Sequence, residues 1–183
     1  MIPTTIVKAI YAVLNSSGVV RRPEWTDFAR IESDPESDLF VVEASDSAFA
    51  ISVVFSNPTY ANWGGCCWIS VADMRLLKKG GDAATYLLSN PPSHYPEDMR
   101  GTLQKFPEEA LPQVDIHISA YYLHLISTIL SHLNANTQTV EMTCTNPVGP
   151  LCLRAMGGEE NDWIEVNLYC MGRSRESSTE NSA

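Results

Sequence analysis

An α+β fold is predicted, with helices gathered on one face of antiparallel sheet and the whole built from a duplicated strand–helix–three-strand unit. Three features of the sequence predict it. A short segment that reaches Ser or Thr turns helical three times. Three strand-like segments follow the first and the third of these helices. Clusters of Asp, Ser, Pro and Gly separate those strands as hairpin turns do. Ribbon on one side and amphipathic helices on the other bury both apolar faces in two layers.

The first helical segment follows Ile2-Pro3-Thr4-Thr5 and runs through IVKAIYAVLNSSG. Ile6, Ile10, Val13 and Leu14 share one face of it, and Lys8, Tyr11 and Asn15 lie opposite. The second follows Cys67-Trp68-Ile69-Ser70, with Val71, Met74 and Leu77 opposing Arg75, Lys78 and Lys79. The third follows Val114–Ser119, with Tyr122, Ile126, Ile129 and Leu133 opposing His124, Thr128 and Ser131. A hydroxyl before each helix suits an N-cap, and Ser70 with Asp73 approximates a capping box. Gly18 and Gly80-Gly81 are expected stops.

Strands are expected at Thr26–Ser33, Leu39–Ala44 and Phe49–Ser56, and again at Thr139–Thr145, Pro150–Ala155 and Trp163–Cys170. Residues 1–173 are read as one domain with an irregular middle at 58–113, where Pro91, Pro92, Pro96, Pro107 and Pro112 oppose regular structure and only Thr85–Ser89 reads as a further strand. The tail 174–183 is polar and expected to be disordered.

The 183 residues are 44% hydrophobic and 19% charged, which excludes global disorder. A chain of this length buries about 70% of its unfolded surface and needs no staple to fold. No apolar run approaches a bilayer span, so no membrane partner is expected, and the N-terminus reads as a folded helix rather than a signal peptide. Five cysteines in an odd count, without CxxC, suit a reducing, cytoplasmic setting; Cys144, Cys152 and Cys170 lie in strand-like segments as small apolar residues. The net charge is −10, from 12 basic and 22 acidic residues. Any contact with nucleic acid must then come from a local basic stripe on an acidic body.

Several stretches resemble the DNA sliding clamps, in particular the bacterial DNA polymerase III beta subunit. They are the opening IPTTIVKAIYAVLNSSGVV, the hairpin LFVVEASDSAFAISVVFS with its apolar strand ending in Ala-x-Asp, and the closing run from VDIHISAYYLHLISTIL through TVEMTCTNPVGPLCLRA to WIEVNLYCMGR. HYPEDMR also resembles the linker that precedes a clamp domain. The order and spacing of these pieces carry the likeness, which covers most of Ile2–Arg173 and is weakest over Trp63–Pro112. The chain departs from the family where Cys170-Met171 stands in place of Met-Pro. It also has room for one and a half domains where a bacterial clamp has three.

The resemblance implies a non-enzymatic processivity or replication factor that needs no cofactor. Its helices would face double-stranded DNA and its sheets would form an outer wall. The implied phosphate contacts are Lys8, Arg75, Lys78 and Lys79, joined by Arg21 and Arg22, and they are independent of sequence. Arg75, Lys78 and Lys79 equally suit an ordinary solvated face. The acidic run Glu32, Asp34, Glu36, Asp38, Glu43 and Asp46 fits the outer wall. The implied groove for polymerase or other partner peptides holds Pro150, Leu168 and Cys170, which also suit plain core packing. A radius of gyration of roughly 16 Å cannot wrap a duplex. Encirclement therefore implies a homo-oligomer, with Phe49–Ser56 or Trp163–Cys170 as candidate free edges for pairing.

Two other readings stand beside this one. A clamp-fold adaptor or inhibitor would bind a protein without DNA, which the acidity and the third helix, bare of Lys and Arg on its wet face, favour. A small hydrolase would use Cys66 or Cys67 with His94. The same three residues lack the usual zinc spacing, and His117, His124 and His132 are scattered, so no metal is expected. Asp34–Asp38 lacks the central Gly and final Glu of a calcium loop.

Overall fold

Apolar spacing and turn chemistry produce three helices and seven strands among the described residues. The computed structural model describes residues 2–16, 23–33, 36, 38–56, 65–80, 87, 90, 92–93, 95, 118–135, 138–144, 150–158 and 162–171. The helices are α1 (Thr4–Leu14), α2 (Val71–Leu77) and α3 (Ala120–His132). The strands are β1 (Phe28–Ser33), β2 (Leu39–Ser45), β3 (Phe49–Ser56), β4 (Gly65–Ser70), β5 (Val140–Cys144), β6 (Pro150–Met156) and β7 (Glu165–Met171).

The strands form one antiparallel sheet in the order β4-β1-β2-β3-β7-β6-β5. The two three-strand groups therefore meet at the β3–β7 pair, where Ile51 opposes Leu168 and Phe49 opposes Cys170. Phe49–Ser56 and the closing strand are consequently central, not free edges as expected from sequence. The ends of the sheet among the described residues are β4 and β5.

One apolar cluster unites alternate residues of the strands with all three helices: Ile31, Val42, Ile51, Val53 and Leu168 meet Ile6, Ile10, Met74, Ile126 and Ile129. The helices thus share one side of the sheet, as the sequence predicts. Each buried Ile or Leu contributes about 1.5–3 kcal/mol over leaving it in water. Phe49 stacks on Tyr122 at 5.7 Å, which seats α3 against β3, and Phe40 stacks on Phe55 at 5.5 Å across β2 and β3.

The opposite side carries a row of one residue per strand, polar from β1 onward: Trp68, then Arg30, Glu43, Ser52, Asn167, Arg154 and Glu141. Arg30 bridges Glu32 at 2.9 Å and Glu43 at 3.1 Å, and Arg154 bridges Glu165 at 3.1 Å. Tyr95 sits edge-on between Trp25 and Trp68, with ring centroids 6.0 and 6.2 Å away.

Local chemistry sets the element boundaries. Ser70 caps α2, its hydroxyl accepting from the Asp73 amide at 3.1 Å and donating to the Asp73 carboxylate at 2.6 Å. Ser119 caps α3 through the Tyr121 amide at 3.3 Å. The first helix differs: Pro3 occupies its N-cap without a side-chain bond, and Thr5 instead donates to Asp162 at 3.2 Å. No strand precedes α1 at Ile2 and Pro3. β1 starts at Phe28 rather than Thr26, because Glu24–Asp27 forms a 3-10 turn in which the Thr26 hydroxyl donates to the Pro23 carbonyl at 2.7 Å. Gly18, Gly81, the expected strand before α3 up to His117, and the 172–183 tail lie outside the described residues, as does Thr85–Ser89 apart from Leu87.

Candidate nucleic-acid interface

The wet sides of the three helices converge because α1 packs against both α2 and α3. Lys8 projects half-buried from α1. Lys78 and Lys79 follow the C-terminal end of α2, the negative end of its dipole, and both are exposed. Gly80 ends the turn at φ 97°, a left-handed conformation that glycine adopts without strain. The Lys78 ammonium lies over the Tyr11 ring, 4.8 Å from its centroid, which ties α2 to α1.

His132, in the last turn of α3, completes this group. Burial lowers its pKa first, and the positive charges of Lys78 and Lys8 lower it further. Lys8, Lys78 and His132 are thereby brought into one electrostatic neighbourhood from three helices. Arg75 is exposed on α2, and Arg21 and Arg22 lie outside the described residues. Sequence reading missed His132 because it counted only Lys and Arg on the third helix. The available signal was a histidine in the last turn of a helix predicted to pack beside the first.

The acidic wall is only partly on the outside. Glu32 and Glu43 do lie on the sheet face away from the helices, but Glu43 is 2% exposed and held by Arg30. Asp46 belongs to the core, not the wall. Its carboxylate accepts from the Ala48 and Phe49 amides at 3.0 and 2.7 Å, from the Tyr122 hydroxyl at 3.3 Å, and from the Ser16 hydroxyl. Asp34 lies outside the described residues.

Leu168 and Cys170 face the helices and are 1% and 0% exposed. Pro150 opposes Met171 across β6 and β7, on the other side of the sheet, and is half-buried. Strand alternation therefore separates Pro150 from the other two implied groove residues.

Cys66 is half-buried and its Sγ accepts from Arg30 Nε at 3.1 Å; burial, outweighing that guanidinium, raises its pKa. Burial pushes the Cys67 thiol up to about 12. Neither is a ready thiolate near neutral pH. His94 lies outside the described residues, and among the described residues no group of three or more His, Cys, Asp or Glu could hold a metal. Native protein at about pH 7.5 is expected to resist iodoacetamide at Cys67 and to react slowly at Cys66, whereas urea-unfolded protein labels at both. Peptide mapping by mass spectrometry reads this, and rapid native labelling of either would revive the hydrolase reading.

No family model matches this chain, and no curated protein matches it. Solved structures do. The Helicobacter pylori beta clamp in complex with 3,4-difluorobenzamide matches with TM-score 0.59 at 9% identity, over 93% of this chain and 64% of that chain. The same clamp in complex with 5-chloroisatin matches with TM-score 0.60 at 9% identity, over 93% and 63%. At this identity the likeness is one of fold: an antiparallel seven-stranded sheet with helices arranged as in a sliding clamp. The chain spans less than two thirds of the length of the clamp chains it matches. No helix of the described residues is long and apolar enough to cross a membrane.

Proposed function

We propose that this chain is a non-catalytic, sliding-clamp-like factor associated with DNA replication. It acts as an oligomer whose helical face meets double-stranded DNA through phosphate contacts. The observation that carries this reading is the gathering of Lys8, Lys78 and His132 on the helical side of a chain with net charge −10. Lys79 and Arg75 extend the basic surface along α2, and Arg21 and Arg22 are proposed to join it. Copies associate through β4 and β5, the outermost strands of the sheet among the described residues. Partner peptides dock at the Pro150 end of β6, beside the half-exposed Met171, with Leu168 and Cys170 packed beneath.

Anisotropy titration of a labelled duplex over salt tests this. Log affinity is expected to fall with log salt, and light scattering to show a species larger than the monomer. Lys78→Glu with Lys79→Glu is expected to weaken binding by at least about tenfold and to flatten the salt slope by about 2. A strict monomer without salt-dependent binding would remove the role.

A second reading, the protein-binding adaptor, is favoured by α3, whose outward side presents Tyr121 and Leu123, 36% and 53% exposed. An adaptor predicts that the double charge reversal leaves partner binding unchanged.

A further inference from the structure

We propose that Tyr11 is a positioning residue for phosphate contact, its ring holding the Lys78 ammonium in the pose that meets the duplex backbone. This role rests on the reading that the helical face meets DNA, and it adds the side chain that prepares the contact.

Two helices supply the parts. Tyr11 lies in the third turn of α1, at i+3 from Lys8, so the two share a side of that helix. Its ring is half-buried and packs against the apolar cluster between helices and sheet, which restrains the two torsions that could move it. Lys78 is the C-cap of α2, and its amide donates to the Met74 carbonyl at 3.0 Å. The Lys79 and Gly80 amides donate to the Leu76 and Leu77 carbonyls at 3.0 and 2.9 Å. The backbone that carries Lys78 is therefore held. Its ammonium, on a flexible aliphatic stem, lies 4.8 Å from the Tyr11 ring centroid. Lys78 is nonetheless exposed, so the ring restrains it without closing it off from solvent.

An exposed lysine that seats a phosphate gives up rotamer freedom at that moment, and the loss subtracts from affinity. A ring beside the ammonium moves part of that loss into the fold. Attraction to the ring quadrupole keeps the side chain at the junction of α1 and α2 before DNA arrives. The ring removes no charge, so the ammonium still meets an anion as a full point charge. Affinity scales with the fraction of Lys78 already in the binding pose. Charge and pose therefore separate. Removing the ammonium lowers affinity and salt slope together, whereas removing the ring lowers affinity alone. Lys79, the next residue and also exposed, is the comparison within the same chain.

Tyr11→Leu keeps an apolar side chain against the core and removes the ring, and Tyr11→Phe keeps the ring. Each is titrated by anisotropy against a labelled duplex over salt. Tyr11→Leu is expected to weaken binding about two- to fivefold, the range of an exposed cation–π pair, with an unchanged salt slope. Tyr11→Phe is expected to restore the native affinity. Tyr11→Leu is expected to add no loss in a Lys78→Gln background and to keep its loss in a Lys79→Gln background. A second readout needs no DNA. Lysines dimethylated with an isotope label keep their charge, and NMR follows their methyl signals. The Lys78 signal, identified by its disappearance in Lys78→Gln, is expected to be shifted by the ring current and to lose that shift in Tyr11→Leu. A Lys78 signal that Tyr11→Leu leaves in place overturns the positioning role, whatever the duplex affinity. A Tyr11→Leu chain that binds duplex as tightly as the native chain, or more tightly, also overturns it, since the ring would then park the ammonium away from phosphate. An equal loss in the Lys78→Gln background overturns it as well, because Tyr11 would be acting elsewhere. A Lys78 signal that moves in a protein without salt-dependent duplex binding overturns the DNA reading, and the positioning role with it, while the ring contact itself stands.

Discussion

Replacing Asp46 with alanine is expected to lower the unfolding free energy by about 3–4 kcal/mol, read from urea denaturation with an unchanged slope. Asp46 is fully buried. It closes the β2–β3 turn by accepting two backbone amides, those of Ala48 and Phe49, while its own amide donates to the Phe49 carbonyl at 2.9 Å. Ser47 is held at φ 79°, left-handed backbone that the closed turn stabilises. The other carboxylate oxygen receives hydroxyls from Ser16, just past α1, and from Tyr122 in α3. One side chain thus joins the central hairpin to helices from both halves of the fold. Alanine would take the acceptor from the buried Phe49 amide, the part-buried Ala48 amide and the Ser16 and Tyr122 hydroxyls, and each buried group left without a partner costs about 1–3 kcal/mol before relaxation. Asp46→Asn keeps an acceptor for the amides and is expected to cost about half as much. Pairing Asp46→Ala with Tyr122→Phe should give less than the sum of the single losses, because both remove the same bond. A loss below about 1 kcal/mol in Asp46→Ala would mean that the hairpin holds without its carboxylate.

Asp46 also shows where sequence reading stops. Ser45-Asp46-Ser47 was legible as a turn, because those residues bond their own backbone. Counting its charge toward an outer wall was wrong: the partners that draw it inward, Ser16 and Tyr122, are 30 and 76 residues away. The helices were legible for the opposite reason. Ile6, Ile10 and Val13 declare their shared face within two turns, and all three are buried as expected. Strand existence is likewise local, whereas strand neighbours are not. β3 and β7 look like any alternating apolar segments, and only the pairing of Ile51 with Leu168 makes them central. The candidate site behaves as β3 does. Lys8 and Lys78 were visible one helix at a time, and His132 joins them only once α1 is seen to lie between the other two.

Replacing Trp163 with alanine is expected to cost about 4 kcal/mol, which urea denaturation would again measure. The indole is 2% exposed and its Nε1 donates to the Leu133 carbonyl at 2.7 Å, at the C-cap of α3. A helix end has carbonyls without intrahelical partners, and here the β6–β7 connection supplies a donor to one. β7 begins at Glu165 and not at Trp163, the start expected from sequence. The connection is tight. The Gly157 amide donates to the Ile164 carbonyl at 2.6 Å, and a Cβ on Gly157 would lie 1.9 Å from the Trp163 carbonyl oxygen. Gly157→Ala therefore probes the same joint from the other side and should also destabilise, since the atom it meets is backbone. Trp163→Phe retains most of the ring but no donor, so its cost is expected near 1–2 kcal/mol, the loss of the hydrogen bond to a buried carbonyl. Leu133 directly follows His132, so the indole anchors the turn that presents the histidine. Trp163→Ala should then let the His132 pKa move back toward its ordinary value as burial relaxes, and Trp163→Phe should leave it lowered. If both variants leave it lowered, α3 holds its last turn through Leu133 and Ile129 packing alone, and Trp163 serves only the core.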